Sequence, residues 1–456
     1  MLTQIRNWGT FVVSALALFW LQPASAVRHL DFWLPCATLA LAAVVWVWTL
    51  PVFEAANRRE VVVDVAVLVC AVCGVALLRD VPALVGVLTR TPPPEVAAVA
   101  LVMVLVIGAC AAVGRMRGKA AWAVGVAVLI GLLLLQKYAP ATEVASGALR
   151  VLQGQSAAHA SAFDWRWFGF SYVAFRLIGV LRDRVIGRLP AMRLREFVTF
   201  AVFAPALSAG PIDRPDRFLK DLRAPYTLMA PQFFAACERL LLGVFKKFVL
   251  ADTLALIALS DAIAPHLRPG WAWLPVYAYA LRIFFDFAGY TDMAIGFGML
   301  LGVRLPENFN APYLKPNLTQ FWNSWHMSLS QWFRAYWFNP LTRALRIRGW
   351  EPAPIVLLGQ VSTMMLIALW HGVTANFVLW GAWHAVGLFV HNRWANFARE
   401  RLSFVNERPA LQRVVNMAGA IATFHFVVLG WVWFALSTPS AALHALQALL
   451  FLPGLR

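Results

Sequence analysis

The stretch FWNSWHMSLSQWFRAYWFNPL, residues 321–341, places one histidine, His326, among tryptophans and phenylalanines. Further along the chain, Trp370-His371-Gly372 places a second histidine where an apolar run meets a glycine. Aromatic surroundings desolvate an imidazole, and desolvation favours its neutral, proton-accepting form. The two stretches therefore predict a pair of functional histidines in an apolar setting.

A continuous helix over residues 320–337 would separate its side chains into two faces. The apolar face would carry His326 with Trp322, Trp325, Leu329, Phe333, Tyr336 and Trp337. The polar face would carry Gln320, Asn323, Ser324, Gln331 and Arg334. We therefore predict one amphipathic helix with His326 on its buried side.

His371 follows the apolar run 355–370. A helix over that run would rise about 24 Å, less than a hydrocarbon core of ~30 Å. We therefore expect His371 to lie within the membrane, unless the helix begins earlier, near Trp350. The dipole at a helix C terminus would stabilise an imidazolium as it forms, which suits a general base.

The composition is that of a membrane protein. Of 456 residues, 61% are hydrophobic and only 13% are charged, whereas soluble globular chains carry roughly 25% charged residues. Because uncharged stretches long enough to span a bilayer recur, we predict an all-α polytopic membrane protein rather than a barrel. We expect about 11–12 membrane segments, including short re-entrant ones such as residues 196–209, which run into Gly210-Pro211.

Arginines and lysines fall at every second segment boundary. Arg6 comes first, then Arg58 and Arg59, then Arg115, Arg117 and Lys119. The positive-inside rule therefore predicts a cytoplasmic N terminus for this multi-pass protein. The net charge of +17 indicates loops that face anionic lipid headgroups, not nucleic acid.

Individual segments follow from the same reading. Residues 1–26 resemble a signal peptide with Ala24-Ser25-Ala26 as a cleavage site, but further spans follow at once, so we prefer an uncleaved helix. The other spans predicted in the terminal regions are 34–55, 61–78, 80–90, 96–114, 119–136, 413–436 and 439–453. Residues 137–163 are expected to form an outside loop, and the i,i+4 spacing of Arg282 and Asp286 predicts an ion pair within one helix.

Several chemistries lack their motifs in this chain. It has no HExxH zinc pair, no GxSxG serine elbow and no phosphate-binding loop. The five cysteines mostly lie in apolar runs, so we interpret them as structural thiols. We predict no metal and no permanently bound cofactor. The other histidines, among them His384, are interpreted as core imidazoles bonded to backbone carbonyls.

Several blocks of the chain together resemble the membrane-bound O-acyltransferase family. The first two are residues 321–341 and WHGVTANFVLWGAWH at 370–384. The others are GFSYVAFRLIGVLRD at 169–183, AGPIDR at 209–214, GVFKKFVLAD at 243–252 and DFAGYTDMAIGFGMLLG at 286–302. The bacterial branch of the family includes alginate and peptidoglycan O-acetyltransferases and the teichoic-acid D-alanyl transfer protein. We expect a catalytic core over 161–395, divergent transmembrane helices over 1–160 and C-terminal transmembrane helices over 396–456.

The resemblance implies a ring of helices around a central tunnel, with His371 as the catalytic histidine and His326 as its essential companion. It also implies an acyl thioester donor, such as acetyl-CoA, on the cytoplasmic side. The implied acceptor is a hydroxyl of an exported polysaccharide, or a periplasmic esterase-like protein that completes the transfer.

Five further residues are predicted to bind substrate. Arg334 is a candidate contact for the donor's phosphates, with a charge facing lipid headgroups as the alternative; the others are Asn323, Trp325, Ser328 and Trp370. Ser324, Ala335 and Ala385 depart from the residues usual in the branch, which leaves the partner and acceptor open.

Three alternatives remain at the level of sequence. The same chemistry would serve D-alanyl transfer to teichoic acid or acylation of a lipid. A glycan transporter or flippase would use the histidines to relay protons. A non-catalytic scaffold for another acyltransferase would account for the altered Ser324 and Ala335.

Overall fold

The computed structural model describes residues 1–50, 58–81, 85–116, 118–405 and 407–450. Every regular element in these ranges is a helix. Within the described ranges, six helices are long and apolar enough to cross a membrane: Leu30–Thr49, Arg58–Asp80, Val96–Val113, Ala120–Lys137, Pro352–His371 and Pro409–Ala435. The prediction of an all-α polytopic membrane protein is confirmed, while the number of re-entrant segments and the tunnel stay predictions.

The chain forms two compact units. The first consists of Met1–Cys237 and Ala294–Leu305, and the second of Glu238–Met293 and Pro306–Arg456. The main helices before residue 230 are α1 Leu2–Leu21, α2 Leu30–Thr49, α3 Arg58–Leu77, α4 Val96–Val113, α5 Lys119–Lys137, α6 Ala139–Leu152, α7 Phe170–Val185, α8 Leu194–Ala201 and α9 Pro215–Arg223.

The remaining helices carry the predicted site. They are α10 Ala230–Val244, α11 Asp252–Ala255, α12 Trp273–Leu300, α13 Leu318–Trp322, α14 Met327–Phe333, α15 Asn339–Ile347, α16 Pro352–His371, α17 Ala375–Arg401, α18 Pro409–Ala435 and α19 Pro439–Leu449. Two π-helical segments, Phe245–Ala251 and Arg334–Phe338, join α10 to α11 and α14 to α15.

The loop expected at 137–163 is wrong, because α6 occupies half of it, while its place outside the membrane stays a prediction. Thr142, Ser146 and Arg150 recur every four residues and lie on its buried face. Asp164 accepts hydrogen bonds there, from Ser146 Oγ at 2.6 Å and Arg150 Nε at 2.9 Å. Hydropathy alone does not distinguish a helix with a polar face of this kind from a loop.

The expected short span at 80–90 is also wrong. A 3₁₀ turn, Leu78–Asp80, ends the preceding helix, and residues 85–90 form turns around Gly86 at φ 97°. Residues 82–84 lie outside the described ranges. The span predicted at 34–55 ends at Thr49, before Pro51, and residues 51–57 are likewise outside the described ranges.

Helix α16 ends at His371, as the apolar run and Gly372 predicted. It begins at Pro352 and is 20 residues long. Such a helix rises about 30 Å, enough for the hydrocarbon core. Its length therefore gives no reason to place His371 inside the membrane.

Adjacent lysines of the first π-helical segment make separate ion pairs with α12. Lys246 Nζ lies 2.6 Å from Asp292, and Lys247 pairs with Asp286. The predicted pair of Asp286 with Arg282 is therefore wrong. The backbones touch here, since a Cβ added at Gly289 would lie 2.7 Å from the carbonyl oxygen of Gly243, and this approach brings the lysines within reach.

Replacing Asp292 by alanine is expected to lower the free energy of unfolding by about 2–3 kcal/mol, less than for a fully buried pair. Asp292 is buried and also accepts from Arg239 Nε at 2.6 Å, so its loss leaves Lys246 without its counter-charge and Arg239 with Glu307 alone. Denaturant unfolding in mixed micelles measures the change. Asp252→Ala is the control, because this exposed carboxylate lies 3.6 Å from Lys247 and contributes little; equal losses would contradict the prediction.

Candidate functional site

His326 lies in a sharp turn between two short helices. Its backbone is left-handed, with φ 44° and ψ 54°, so α13 and α14 are separate. The predicted continuous helix, with its two faces, is therefore wrong. The reason is a neighbouring segment: Met327 N donates to Asn308 O, and Asn310 N donates to Ser324 O, both at 3.0 Å. These backbone bonds replace those a continuous helix would make within itself.

The imidazole of His326 is buried, with 3% of the residue exposed. Its ring centroid lies 4.6 Å from that of Phe287 and 6.2 Å from that of Trp370, whose ring is only 12° from parallel. Among the described residues no group hydrogen-bonds to Nε2. A buried polar atom without a protein partner is costly, so this nitrogen is available to a water molecule or a substrate group.

Asn308 fixes the backbone after His326, and sequence reasoning missed it. It is fully buried; Oδ1 accepts from Ser328 N at 3.2 Å, and Nδ2 donates to Thr291 Oγ1 at 3.4 Å. With the bond from Met327 N to its carbonyl, Asn308 holds both residues that follow the histidine. The only signal in the sequence was a lone amide in a loop, which predicts nothing by itself.

His371 ends α16 in a cluster of aromatic rings and is partly exposed. Its ring centroid lies 4.5 Å from Trp370, 4.8 Å from Phe434, 5.6 Å from Trp380 and 5.9 Å from Phe377. The rings surround the imidazole without sealing it, so a substrate can reach it.

Trp370 brings the two histidines into one site. Its indole contacts the imidazole of His371 and lies nearly parallel to that of His326. All three residues belong to the second unit. The two stretches singled out in the sequence therefore meet at Trp370, while the functional roles of His326, His371 and Trp370 stay predictions.

The other predicted binding residues lie in different surroundings. Trp325 packs against Phe309, Phe321 and Trp431, not against either histidine. Arg334 donates to Asn323 Oδ1, and both side chains are exposed. Ser328 is buried beside Asn308. Their roles in binding stay predictions.

His384 is a third histidine of this aromatic region. It is fully buried, and neither ring nitrogen has a hydrogen-bond partner among the described residues, so the predicted bond to a backbone carbonyl is wrong. Trp380 contacts both His384, at 5.0 Å, and His371. Gly430 makes room, because a Cβ there would lie 2.9 Å from Nε2.

The imidazoles of His326 and His371 are the groups that this site offers for chemistry. No group of three or more His, Cys, Asp or Glu side chains in the described ranges is placed to hold a metal ion. Two imidazoles in apolar surroundings are suited to proton transfer, with one accepting a proton and the other donating a hydrogen bond.

Comparison with known proteins agrees with the resemblance drawn from the sequence blocks. Relatives include the protein named "Probable alginate O-acetylase AlgI" of Pseudomonas aeruginosa, 37% identical over 58% of this chain and 48% of the relative. The teichoic acid D-alanyltransferase of Bacillus subtilis is 30% identical over 59% and 68%, and the peptidoglycan O-acetyltransferase of Helicobacter pylori is 31% identical over 57% and 47%.

Each match covers only part of the relative's own length. This chain spans about half the length of the alginate O-acetylases it matches. The model of the MBOAT, membrane-bound O-acyltransferase family, matches residues 188–433, which include both histidines of the site and more than half of the chain. This chain therefore belongs to the membrane-bound O-acyltransferase family.

Proposed function

We propose that this chain is an O-acyltransferase that moves an acetyl group from a cytoplasmic thioester donor to a hydroxyl of an exported or cell-envelope polysaccharide. The observation that carries the proposal is the contact of Trp370 with both imidazoles, His326 and His371. The names of the relatives support the class of acceptor, since they act on alginate, teichoic acid and peptidoglycan. We place the protein in the bacterial inner membrane, surrounded by lipid.

His371 is the general base in this proposal. Its partly exposed ring takes the proton of the acceptor hydroxyl while the oxygen attacks the thioester carbonyl. The carbon–sulfur bond then breaks, the thiolate leaves, and the proton passes from the imidazolium to the sulfur. The products are an acetyl ester and a free thiol.

His326 assists at the carbonyl oxygen. A neutral imidazole with its proton on Nε2 donates one hydrogen bond, and this buried Nε2 is free of other partners in the described residues. Negative charge develops on the thioester oxygen in the transition state, and a donor already in place stabilises it at no cost of rearrangement. Trp370 and Phe287 hold the ring by packing.

The donor is acetyl-CoA or another acyl thioester, which binds as a substrate and leaves as product. Arg334, held by Asn323, is the proposed contact for its phosphates, because a guanidinium matches phosphate geometry. Trp325 and Ser328 are proposed to shape the site around the acyl group. A periplasmic esterase-like protein is the alternative acceptor, and it would then pass the acetyl group on to the polymer.

The test compares cells with and without this chain. Exported glycan is collected, and its ester-linked acetyl, its ester-linked D-alanine and its total yield are measured. We expect acetyl ester to disappear without the chain and to return on complementation, at constant yield. Loss of D-alanine ester would assign the other acyl group, and a fall in polymer yield at constant ester content would replace the proposal by a transporter.

Replacing Asn308 by alanine is expected to lower the rate of acyl transfer about 10–100-fold, because a misplaced catalytic group costs up to ~10²-fold. The change removes the acceptor that holds Ser328 N, while His326 itself remains. Transfer of labelled acetyl from donor to base-labile ester measures it. Asn310→Ala is the control, since Asn310 is exposed and bonds Ser324 through its backbone.

A double variant tests whether Asn308 acts by positioning His326. Because Asn308 acts through His326, the variant that combines Asn308→Ala with His326→Asn should be no slower than His326→Asn alone. Rates that multiply would show that Asn308 acts independently of the histidine.

A further inference from the structure

A cleft in the first unit lies between three membrane helices, far in sequence from the histidine site. It is lined by α2, α3 and α4, together with Leu194 at the start of α8, and has a volume of about 390 Å³. Its walls are aliphatic and aromatic side chains such as Leu39, Trp46, Leu68 and Ile107. Of the described residues that line it, only Arg115 is charged.

The bilayer reaches this cleft directly. Only 22% of the apolar window of α3 and 11% of that of α4 are buried within the protein. Leu101, Val104 and Leu105 of α4 are each more than 60% exposed. Uncharged helices with this exposure turn their outer faces to lipid chains, so the natural occupant of a cleft between them comes from the membrane.

The length of the cleft matches one leaflet. Its lining along α2 runs from Cys36 to Val47, a rise of about 16 Å. That is about half of a hydrocarbon core of ~30 Å. A single acyl chain of one leaflet therefore fills the cleft from end to end.

The charge lies at one end of the cleft. Arg115 follows α4 and is exposed, and the end of α2 and the start of α3, at Val47 and Val61, line the same end. A Cβ at Gly114 would lie 2.7 Å from Val47 Cγ1, so α4 closes tightly on α2 beneath the guanidinium. Arg58 at the start of α3 adds to the positive charge, on the side that the positive-inside rule predicts to be cytoplasmic.

We propose that this cleft binds one anionic phospholipid, with an acyl chain between α2, α3 and α4 and its phosphate at Arg115. The charged end decides between occupants, because an uncharged helix of a partner protein would leave a guanidinium facing apolar surface. A phosphate supplies a charge-assisted hydrogen bond at that position. The lining of the cleft includes none of the residues assigned above to acyl transfer, so this proposal does not rest on that function.

Native mass spectrometry of the detergent-purified full chain tests the proposal, with phosphatidylglycerol and phosphatidylcholine of identical acyl chains as probes. We expect one retained lipid, with phosphatidylglycerol preferred about tenfold: both lipids carry a phosphate, but phosphatidylcholine also carries a choline cation that Arg115 repels. Arg115→Gln should remove the preference but keep the lipid. Ala43→Phe combined with Ala111→Phe fills the cleft and should remove both lipids.

Arg399→Gln is the matched control, since it neutralises an exposed arginine outside the first unit and should change nothing. Equal retention of the two lipids by the wild-type chain would overturn the proposal in favour of ordinary boundary lipid. So would a preference that survives Arg115→Gln. If the variant with the filled cleft still retained lipid, the lipid would be bound elsewhere. If the wild-type chain formed dimers and the filled variant did not, the occupant of the cleft would be a second copy of the chain.

Discussion

Replacement of His371 by alanine is expected to lower the rate of acyl transfer by about 10²–10⁴-fold, the usual contribution of a general base. The imidazole ends α16, where the helix dipole stabilises the imidazolium that forms as the hydroxyl loses its proton. Since the ring is partly exposed, its loss leaves the surrounding aromatic cluster largely in place. The variant should therefore accumulate in the membrane at wild-type abundance.

Single-turnover transfer of labelled acetyl from a thioester to a soluble sugar acceptor measures this effect without interference from polymer export. His444→Ala is the control, because it removes an exposed histidine of α19 and should leave the rate within about twofold. A His371→Ala variant with more than a tenth of the wild-type rate would rule out His371 as the base. The search would then turn to His326 and the buried His384.

Replacement of His326 by asparagine is expected to lower the same rate by about 10²–10³-fold, the cost of removing one oxyanion donor. Asparagine is the informative choice, since it tolerates a positive φ better than most residues and keeps the turn at φ 44°. The imidazole is lost while the backbone is conserved. The protein should therefore bind its donor with little change and fail at the chemical step.

Two further variants separate chemistry from folding. His326→Val places a β-branched residue at positive φ and should lower the yield of folded protein. Ala311→Gly changes another residue of positive φ, 43°, to the residue that adopts it without strain, and should raise stability by about 1 kcal/mol with activity retained. Wild-type rates in His326→Asn would leave the histidine a packing role only.

The sequence was sufficient where local pattern determines structure. The apolar run before Gly372 predicted the end of α16, and the two histidine stretches that the sequence paired do meet at Trp370. Prediction from the sequence failed where segments that are distant along the chain bond to each other through their backbones. The turn at His326 depends on a hydrogen bond that the carbonyl of Asn308 accepts and one that the backbone of Asn310 donates, and nothing in residues 320–337 encodes them.

Packing explains the other misses. The ion pair of Lys247 with Asp286 replaces the local pair with Arg282 because two glycine backbones touch and the helix around Lys247 is of the π type. The polar face of α6 finds its partners around Asp164, beyond the end of the helix. Spacing along one helix cannot anticipate either arrangement.

The neighbouring lysines of the first π-helical segment also set the register of two helices. Lys246 and Lys247 are adjacent, yet they pair with Asp292 and Asp286, which lie about 9 Å apart along α12. A slide of one turn, about 5.4 Å, would move both carboxylates away from their lysines at once. Together the two ion pairs fix the position of α12 along the neighbouring π-helical segment. The chain that leaves α12 towards the His326 turn therefore starts from a defined place.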